Sequence, residues 1–459
     1  MIRTASAVPQ RGDRTSRRTR WRIVVGVLSV GVVVAIAFGA AFIPALLPDG
    51  DHMAGESRRL AAGVIFVGSY LALALGRIPG FNIDRAGIAL AGAGLMVAAG
   101  ALPLGDAYRA VDLDTLTLLL GMMIVVASLR LSGFFAVANG WISAHARRPL
   151  LLLGGVVAIS GVFSAFLVND AICLVLTPLV LELTIALGRR PVPYLLAVAM
   201  ASNVGSAATI TGNPQTIMIG SLSHISYITF ALTLGPVALA GLLVTLALIV
   251  LFHRNEFTGV LRAAPKPKIE PNRVLVMRAL LATLILIALF FAGVGPAKAA
   301  IVIGGLLLLT RRVKSRRVYA EIDWSLLLMF AGLFIIVAGA EEVLLGPDII
   351  AAVGRLHLDQ VPVLAVVTAA LSNLVSNVPA VLMLKPFVGG LQDHNRAWLV
   401  VAMASTLAGN FTMLGSIANL IVIQRAAASG VTISFWDYLR VGAPLTIITL
   451  TMGALWLSR

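Results

Sequence analysis

The chain has 459 residues, 59% of them apolar and only 12% charged, and its mean hydropathy is +0.98. Too little polar side chain remains to coat a water-soluble body of this size, so the composition excludes a soluble fold. The single cysteine, Cys173, excludes an internal disulfide and a cysteine-based metal site, and the net charge of +15 follows from membrane topology, not from nucleic-acid binding.

Seven arginines lie within residues 1–22, ahead of an apolar run at 23–47. That run is long for a signal-peptide core and many spans follow it. It reads as a retained first helix behind a basic cytoplasmic arm that also suits anionic lipid head groups. Helices are predicted over 60–76, 86–104 and 115–131, then a short interfacial helix over 134–146. Apolar segments 150–168 and 171–187 are separated only by Val168-Asn169-Asp170, too little for an external loop. The pair, taken as 150–187, therefore reads as a re-entrant hairpin with its tip inside the membrane. A helix over 194–220 is interrupted by Gly, Asn and Thr, and another covers 228–252. A basic, proline-containing linker at 253–275 follows. The second half predicts helices at 276–293, 297–310 and 324–340, an interfacial stretch near 348–356, and a hairpin over 361–389 whose tip reads Ser376-Asn377-Val378-Pro379. A broken helix over 397–424 and a last helix over 434–457 complete it. The expected fold is an all-α polytopic membrane protein with about 11 transmembrane helices plus two re-entrant hairpins. The expected domains are the arm (1–22), an extra helix and loop (23–59), a first repeat (60–252), the linker (253–275) and a second repeat (276–459).

The repeat shows in the letters. Val-Ala-Met-Ala-Ser occurs at 198–202 and again at 401–405, and in that register Thr209 falls on Thr412 and Gly212 on Gly415. Asp112-Leu113-Asp114 matches Glu321-Ile322-Asp323, and tip residue Asn169 matches Asn377. With the N-terminus inside, cytoplasmic segments hold 27 Lys and Arg, external segments hold 7, and Lys385 lies in the second hairpin. This bias places the chain in the cell (inner) membrane with the N-terminus cytoplasmic and the C-terminus outside. The two repeats then enter from opposite faces. Inverted repeats with broken helices are a secondary-transporter architecture. No Gly-x-x-x-x-Gly-Lys-Ser/Thr run marks an ATP-driven pump.

A hairpin tip in the membrane leaves backbone groups without helical partners, which is tolerated at a polar cavity. Helices starting after Asn169, Asn213, Asn377 and Ser416 aim positive dipole ends there. The candidate substrate- and ion-binding residues are Asn169, Asp170, Asn203, Thr209, Gly212, Asn213, Ser376, Asn377, Thr412, Gly415, Ser416 and Asn419. Capping of helix breaks and close helix packing would use the same residue types. Asp170 is an ionisable group in mid-membrane, suited to binding a cation, carrying a proton or capping a helix. The six histidines show no metal-ligand spacing, and no nucleophile–base pair marks an enzyme.

Asn169-Asp170-Ala171, Gly212-Asn213-Pro214-Gln215, Ser376-Asn377-Val378-Pro379 and Gly415-Ser416-Ile417-Ala418-Asn419 resemble the signature positions of the ion transporter superfamily. That group holds citrate-transporter-like proteins, divalent anion:sodium symporters and arsenite permeases, and the resemblance covers residues 60–457. It implies alternating-access transport of a small anion, a carboxylate or an inorganic oxyanion, coupled to Na+ or H+. Transient Na+ is implied at the first hairpin tip and the first helix break, with no resident cofactor or metal. Both tip Asn residues match the dicarboxylate symporters, whose tips read Ser-Asn-Thr, but both Thr are replaced. The Asn-Asp tip is similar to the arsenite permease pattern, and the Gly-Asn-Pro-Gln break to a poorly characterised anion-transporter branch. Efflux of arsenite or another metalloid, and Na+/H+ antiport, are the alternatives. The expected partners are a small anionic substrate, membrane lipid and a second copy in a homodimer, with no nucleic acid.

Overall fold

The computed structural model describes residues 50–75, 81–145, 148–258, 272–309, 313–346 and 353–459. The predicted basic arm, the predicted helix at 23–47, residues 259–271 of the linker and the start of the stretch near 348–356 lie outside the described residues. In chain order the helices are α1 (Gly50–Leu75), α2 (Arg85–Ala98), α3 (Leu104–Ala110), α4 (Leu113–Ser132), α5 (Phe134–His145), α6 (Pro149–Phe166), α7 (Asn169–Ala186), α8 (Pro191–Ser206), α9 (Pro214–Ser223) and α10 (Tyr227–Phe252). Then follow α11 (Arg273–Phe291), α12 (Pro296–Leu308), α13 (Ser315–Tyr319), α14 (Trp324–Leu344), α15 (Val361–Val375), α16 (Asn377–Val388), α17 (His394–Ala408), α18 (Ile417–Ala428) and α19 (Phe435–Leu457). No strand occurs among the described residues, and eight of these helices are long and apolar enough to cross a membrane. The chain is an integral, multi-pass membrane protein.

The order α6–α7–α8–α9–α10 recurs as α15–α16–α17–α18–α19, the expected two inverted repeats with broken helices. Several helices start where proline or a capping side chain allows it. Asn272 accepts the Leu275 N–H, Ser226 the Thr229 N–H and Ser434 the Asp437 N–H. Pro191 occupies the first turn of α8, which is why α8 begins at 191 and not at the predicted 194. α1 starts ten residues before the predicted 60, because Glu56, Arg58 and Arg59 end the apolar pattern without ending the helix. α2 stops at Ala98 and not at 104: Gly100 adopts φ +67°, and Pro103 then leads into the separate short helix α3.

The described residues form two compact units. The smaller contains α1–α3 and residues 328–346; the larger contains residues 112–327 and 353–459. In the smaller, Gly332 lies directly on the backbone of Ala89, so α14 and α2 approach as only a small residue permits. In the larger, α4 packs on α12 in the same way, Gly121 lying on Ala300. An Arg130–Glu321 ion pair joins the end of α4 to the turn before α14.

The hairpin tips sit beside the helix breaks. α6 and α7 have 18 residues each, about 27 Å of helix and long enough on their own to cross. After the short turn at 187–190, however, α8 runs back 16 residues, so Asn169 is level with Ser206 at the first break. The Thr209 hydroxyl donates to the Ala165 carbonyl, and Thr211 Oγ1 lies 3.5 Å from the Phe166 carbonyl. α9 then continues for another ten residues. The tip is therefore inside the membrane and not at its far surface. The arms of the second hairpin are too short to cross: α15 and α16 have 15 and 12 residues, about 22 and 18 Å, short of a core of about 30 Å.

Candidate functional site

Both broken helices end at one place. Asn203, in the last turn of α8, donates from Nδ2 to Asn410 Oδ1 and to Asn419 Oδ1, each at 2.9 Å. Its Oδ1 accepts from Asn169 Nδ2 at 3.1 Å and from Ser416 Oγ at 3.1 Å. Asn419 Nδ2 in turn donates to the carbonyls of Gly409 (2.7 Å) and Thr412 (3.2 Å), two carbonyls freed where α17 ends. Those bonds fix which way the Asn419 amide faces, and so fix Asn203. Asn169, Asn203, Asn410 and Asn419 are each 0% exposed. A second contact crosses between the repeats from the other side: Gln215 Nε2 at the start of α9 donates to Thr406 Oγ1 near the end of α17, at 3.2 Å.

The first break is sealed. Thr209, Gly212 and Asn213 are all buried. Gly212 lies against the Ser206 carbonyl with no room for a Cβ. Asn213 Nδ2 donates to Ser206 Oγ at 3.2 Å, and the Asn213 backbone N–H donates to Thr216 Oγ1 at 3.0 Å. Thr211 and Tyr227 share a 2.8 Å hydroxyl–hydroxyl bond, and the Tyr227 ring packs on Phe290 and Phe291. The second break is open in part: Phe411 and Leu414 are exposed and Thr412 is half-buried, while Gly415 and Ser416 are buried. A Cβ on Gly415 would lie 2.9 Å from Asn373 Oδ1 and 2.9 Å from the Gly409 carbonyl.

The hairpin tips differ as well. Asn169 opens α7, and its carbonyl takes the Ser202 hydroxyl at 3.3 Å, but its buried Oδ1 has no hydrogen-bond partner among the described residues. Asp170 follows, half-buried, and no hydrogen bond reaches its carboxylate among the described residues. At the second tip Asn377 Oδ1 accepts from Ser372 Oγ at 2.5 Å, and no hydrogen bond among the described residues ties Asn377 to the asparagine cluster. Ser376 sits between α15 and α16 at φ +80°, ψ 160°, a region almost reserved for glycine; the matching Val168 is unstrained at φ −53°. Asn373 Oδ1 is a second buried amide oxygen without a partner among the described residues.

Of the twelve candidate residues, Asn169, Asn203, Ser416 and Asn419 bond directly to one another. Thr209, Gly212 and Asn213 surround the first tip and break, and Ser376, Asn377, Thr412 and Gly415 belong to the second. Asp170 is adjacent to Asn169. Sequence reasoning missed Asn410, Gln215, Thr406, Ser164 and Ser372. The two serines carried a readable signal, each standing five residues before its tip Asn; Ser164 meets Ser202 at 2.7 Å, and Ser372 bonds the Ser405 carbonyl at 3.0 Å.

The family model for the citrate transporter matches residues 70–408. This chain belongs to the citrate transporter family. An uncharacterized transporter of Mycobacterium tuberculosis is 28% identical over 423 residues, which cover 87% of this chain and 97% of that one. A silicon efflux transporter of Oryza sativa subsp. japonica is 28% identical over 449 residues, covering 82% and 93%. The crystal structure of the Alcanivorax borkumensis YdaH transporter matches in fold with a TM-score of 0.55 at 15% identity, over 87% of this chain and 97% of that one. Family and relatives are membrane transporters and not enzymes.

Proposed function

We propose that this citrate transporter family member is a secondary active transporter of a small oxyanion, bound where the two breaks and two tips meet. The observation that carries the reading is the buried cluster of Asn169, Asn203, Asn410, Ser416 and Asn419, towards which α7 and α18 begin. Neutral amides, hydroxyls and helix N-termini suit a small, diffuse charge more than a polycarboxylate needing arginine clamps. The unpartnered Oδ1 atoms of Asn169 and Asn373 are acceptors suited to a coupling cation. Transport proceeds by alternating access, with hairpins and broken helices moving against α4, α11 and α12. The reading includes an inner-membrane location with a cytoplasmic N-terminus, an orientation that the charge bias supports.

A second reading is efflux of an undissociated metalloid oxyacid. It is favoured by the uncharged donor set and by the name of the Oryza relative, with Asp170 as the proton carrier. Proteoliposomes loaded against Na+ or proton gradients separate the two. Uptake of sulfate driven by Na+ or protons supports the oxyanion reading, uptake of succinate or citrate contradicts it, and proton-driven movement of arsenite or silicic acid alone supports the second. Sodium-driven proton movement with no solute transport overturns both.

A further inference from the structure

Outside the site, the least covered part of the larger unit is the pair α11–α12. Of the eight spans α11 is the most apolar and the least buried. Between it and α12 runs a groove of about 590 Å³, lined along its length by Met277, Leu281, Ile285, Ile303 and Leu306. One end is different: Arg273 and Arg278 line it, both exposed. Arg278 is held in place, its Nη2 donating to the carbonyls of Leu306 (3.1 Å) and Leu309 (2.6 Å), which leaves its other N–H groups directed elsewhere. Among the described residues neither arginine pairs with a carboxylate. At the same end stand exposed Lys314, just before α13, exposed Arg316 and Arg317 within it, and the exposed Tyr319 and Trp324, linked by a 3.2 Å bond from Trp324 Nε1 to the Tyr319 carbonyl. Exposed Tyr and Trp mark head-group level in a membrane protein.

We propose that this groove is a binding site for an anionic phospholipid. Its acyl chain lies along the apolar walls, and its phosphate is held by Arg273 and Arg278 at the aromatic level. Charge complementarity selects the occupant. An apolar channel ending in two guanidinium groups that meet no carboxylate among the described residues matches an amphiphile with one anionic head, and arginine pairs with phosphate bidentately. A second copy of the chain on this face would bring the same two arginines against their own equivalents or cover them without a counter-ion.

The test is native mass spectrometry of the full-length protein released from neutral detergent, after titration with phosphatidylglycerol or phosphatidylcholine of matched chains. Phosphatidylglycerol binds preferentially to the native protein, and the preference falls about 30-fold in the Arg273→Gln/Arg278→Gln double variant. Equal retention of both lipids by the native protein, or an unchanged preference in the variant, overturns the proposal. Because Arg278 also bonds α12, Arg273→Gln alone is measured beside it and loses part of the preference with an unchanged melting midpoint. Leu281→Cys supplies an independent readout: maleimide labelling slowed by phosphatidylglycerol supports the lipid, and a disulfide between copies in membranes overturns it.

Discussion

Replacing Asn203 by alanine removes four hydrogen bonds at once, two donated to Asn410 and Asn419 and two accepted from Asn169 and Ser416. All the amides involved are fully buried. A net bond is worth about 1 kcal/mol in a soluble protein, and interhelical polar contacts in membranes average about 0.6 kcal/mol. Four of them therefore give a loss of about 2–4 kcal/mol, the lower end applying if water fills the space left by the amide. Asn203→Asp distinguishes this network from mere loss of volume. The carboxylate keeps the shape but accepts only, so it faces the Oδ1 atoms of Asn410 and Asn419. Asn419 cannot turn without releasing the carbonyls of Gly409 and Thr412. Asp is therefore expected to be worse than Ala. Reversible unfolding in mixed micelles, followed by circular dichroism, measures both. If Asn203→Ala lies within about 0.5 kcal/mol of the parent, or Asp is tolerated better than Ala, the amide network does not hold the two breaks together.

Gly205→Ala places a methyl 2.5 Å from Gly161 Cα, where backbone cannot give way; it is expected to cost about 1–3 kcal/mol, whereas Gly154→Ala, with open space around it, is neutral in the same unfolding assay. Ser376→Gly relieves a φ/ψ pair that costs about 1–3 kcal/mol in a non-glycine residue, so the unfolding midpoint should rise while transport falls; a lower midpoint contradicts the strain argument. Asp170→Asn keeps the side chain's shape and removes its charge. If Asp170 couples the ion, gradient-driven uptake is lost while solute exchange across proteoliposomes persists, and an unchanged gradient response rules out a coupling role.

The hairpins and helix breaks were legible because their signals are local. Val168-Asn169-Asp170 is too short to leave the membrane, and Asn213-Pro214 starts a helix wherever it stands. The errors at α1 and α2 arose where local signals conflict: charged residues that are good helix formers, and a glycine that ends a helix without ending its hydrophobicity. Thr209, Thr412, Gly212 and Gly415 were found through repeat register, a signal that Asn410 lacked. Its counterpart is Ala207, so no internal match pointed to it.

Sequence alone thus determined the solvent, the helical class, the repeats and the places where helices break, since hydropathy, charge bias and capping act over a few residues. Tertiary structure decided which amides meet. Asn203 finds its partners 207 and 216 residues away, a choice no local pattern encodes. It also decided that one break is packed under Tyr227, Phe290 and Phe291 while the other is partly exposed, and that Ser376 bears strain its counterpart Val168 does not. Two repeats with nearly the same local signals differ in this way because burial and hydrogen bonding are set by the neighbours each receives across the membrane.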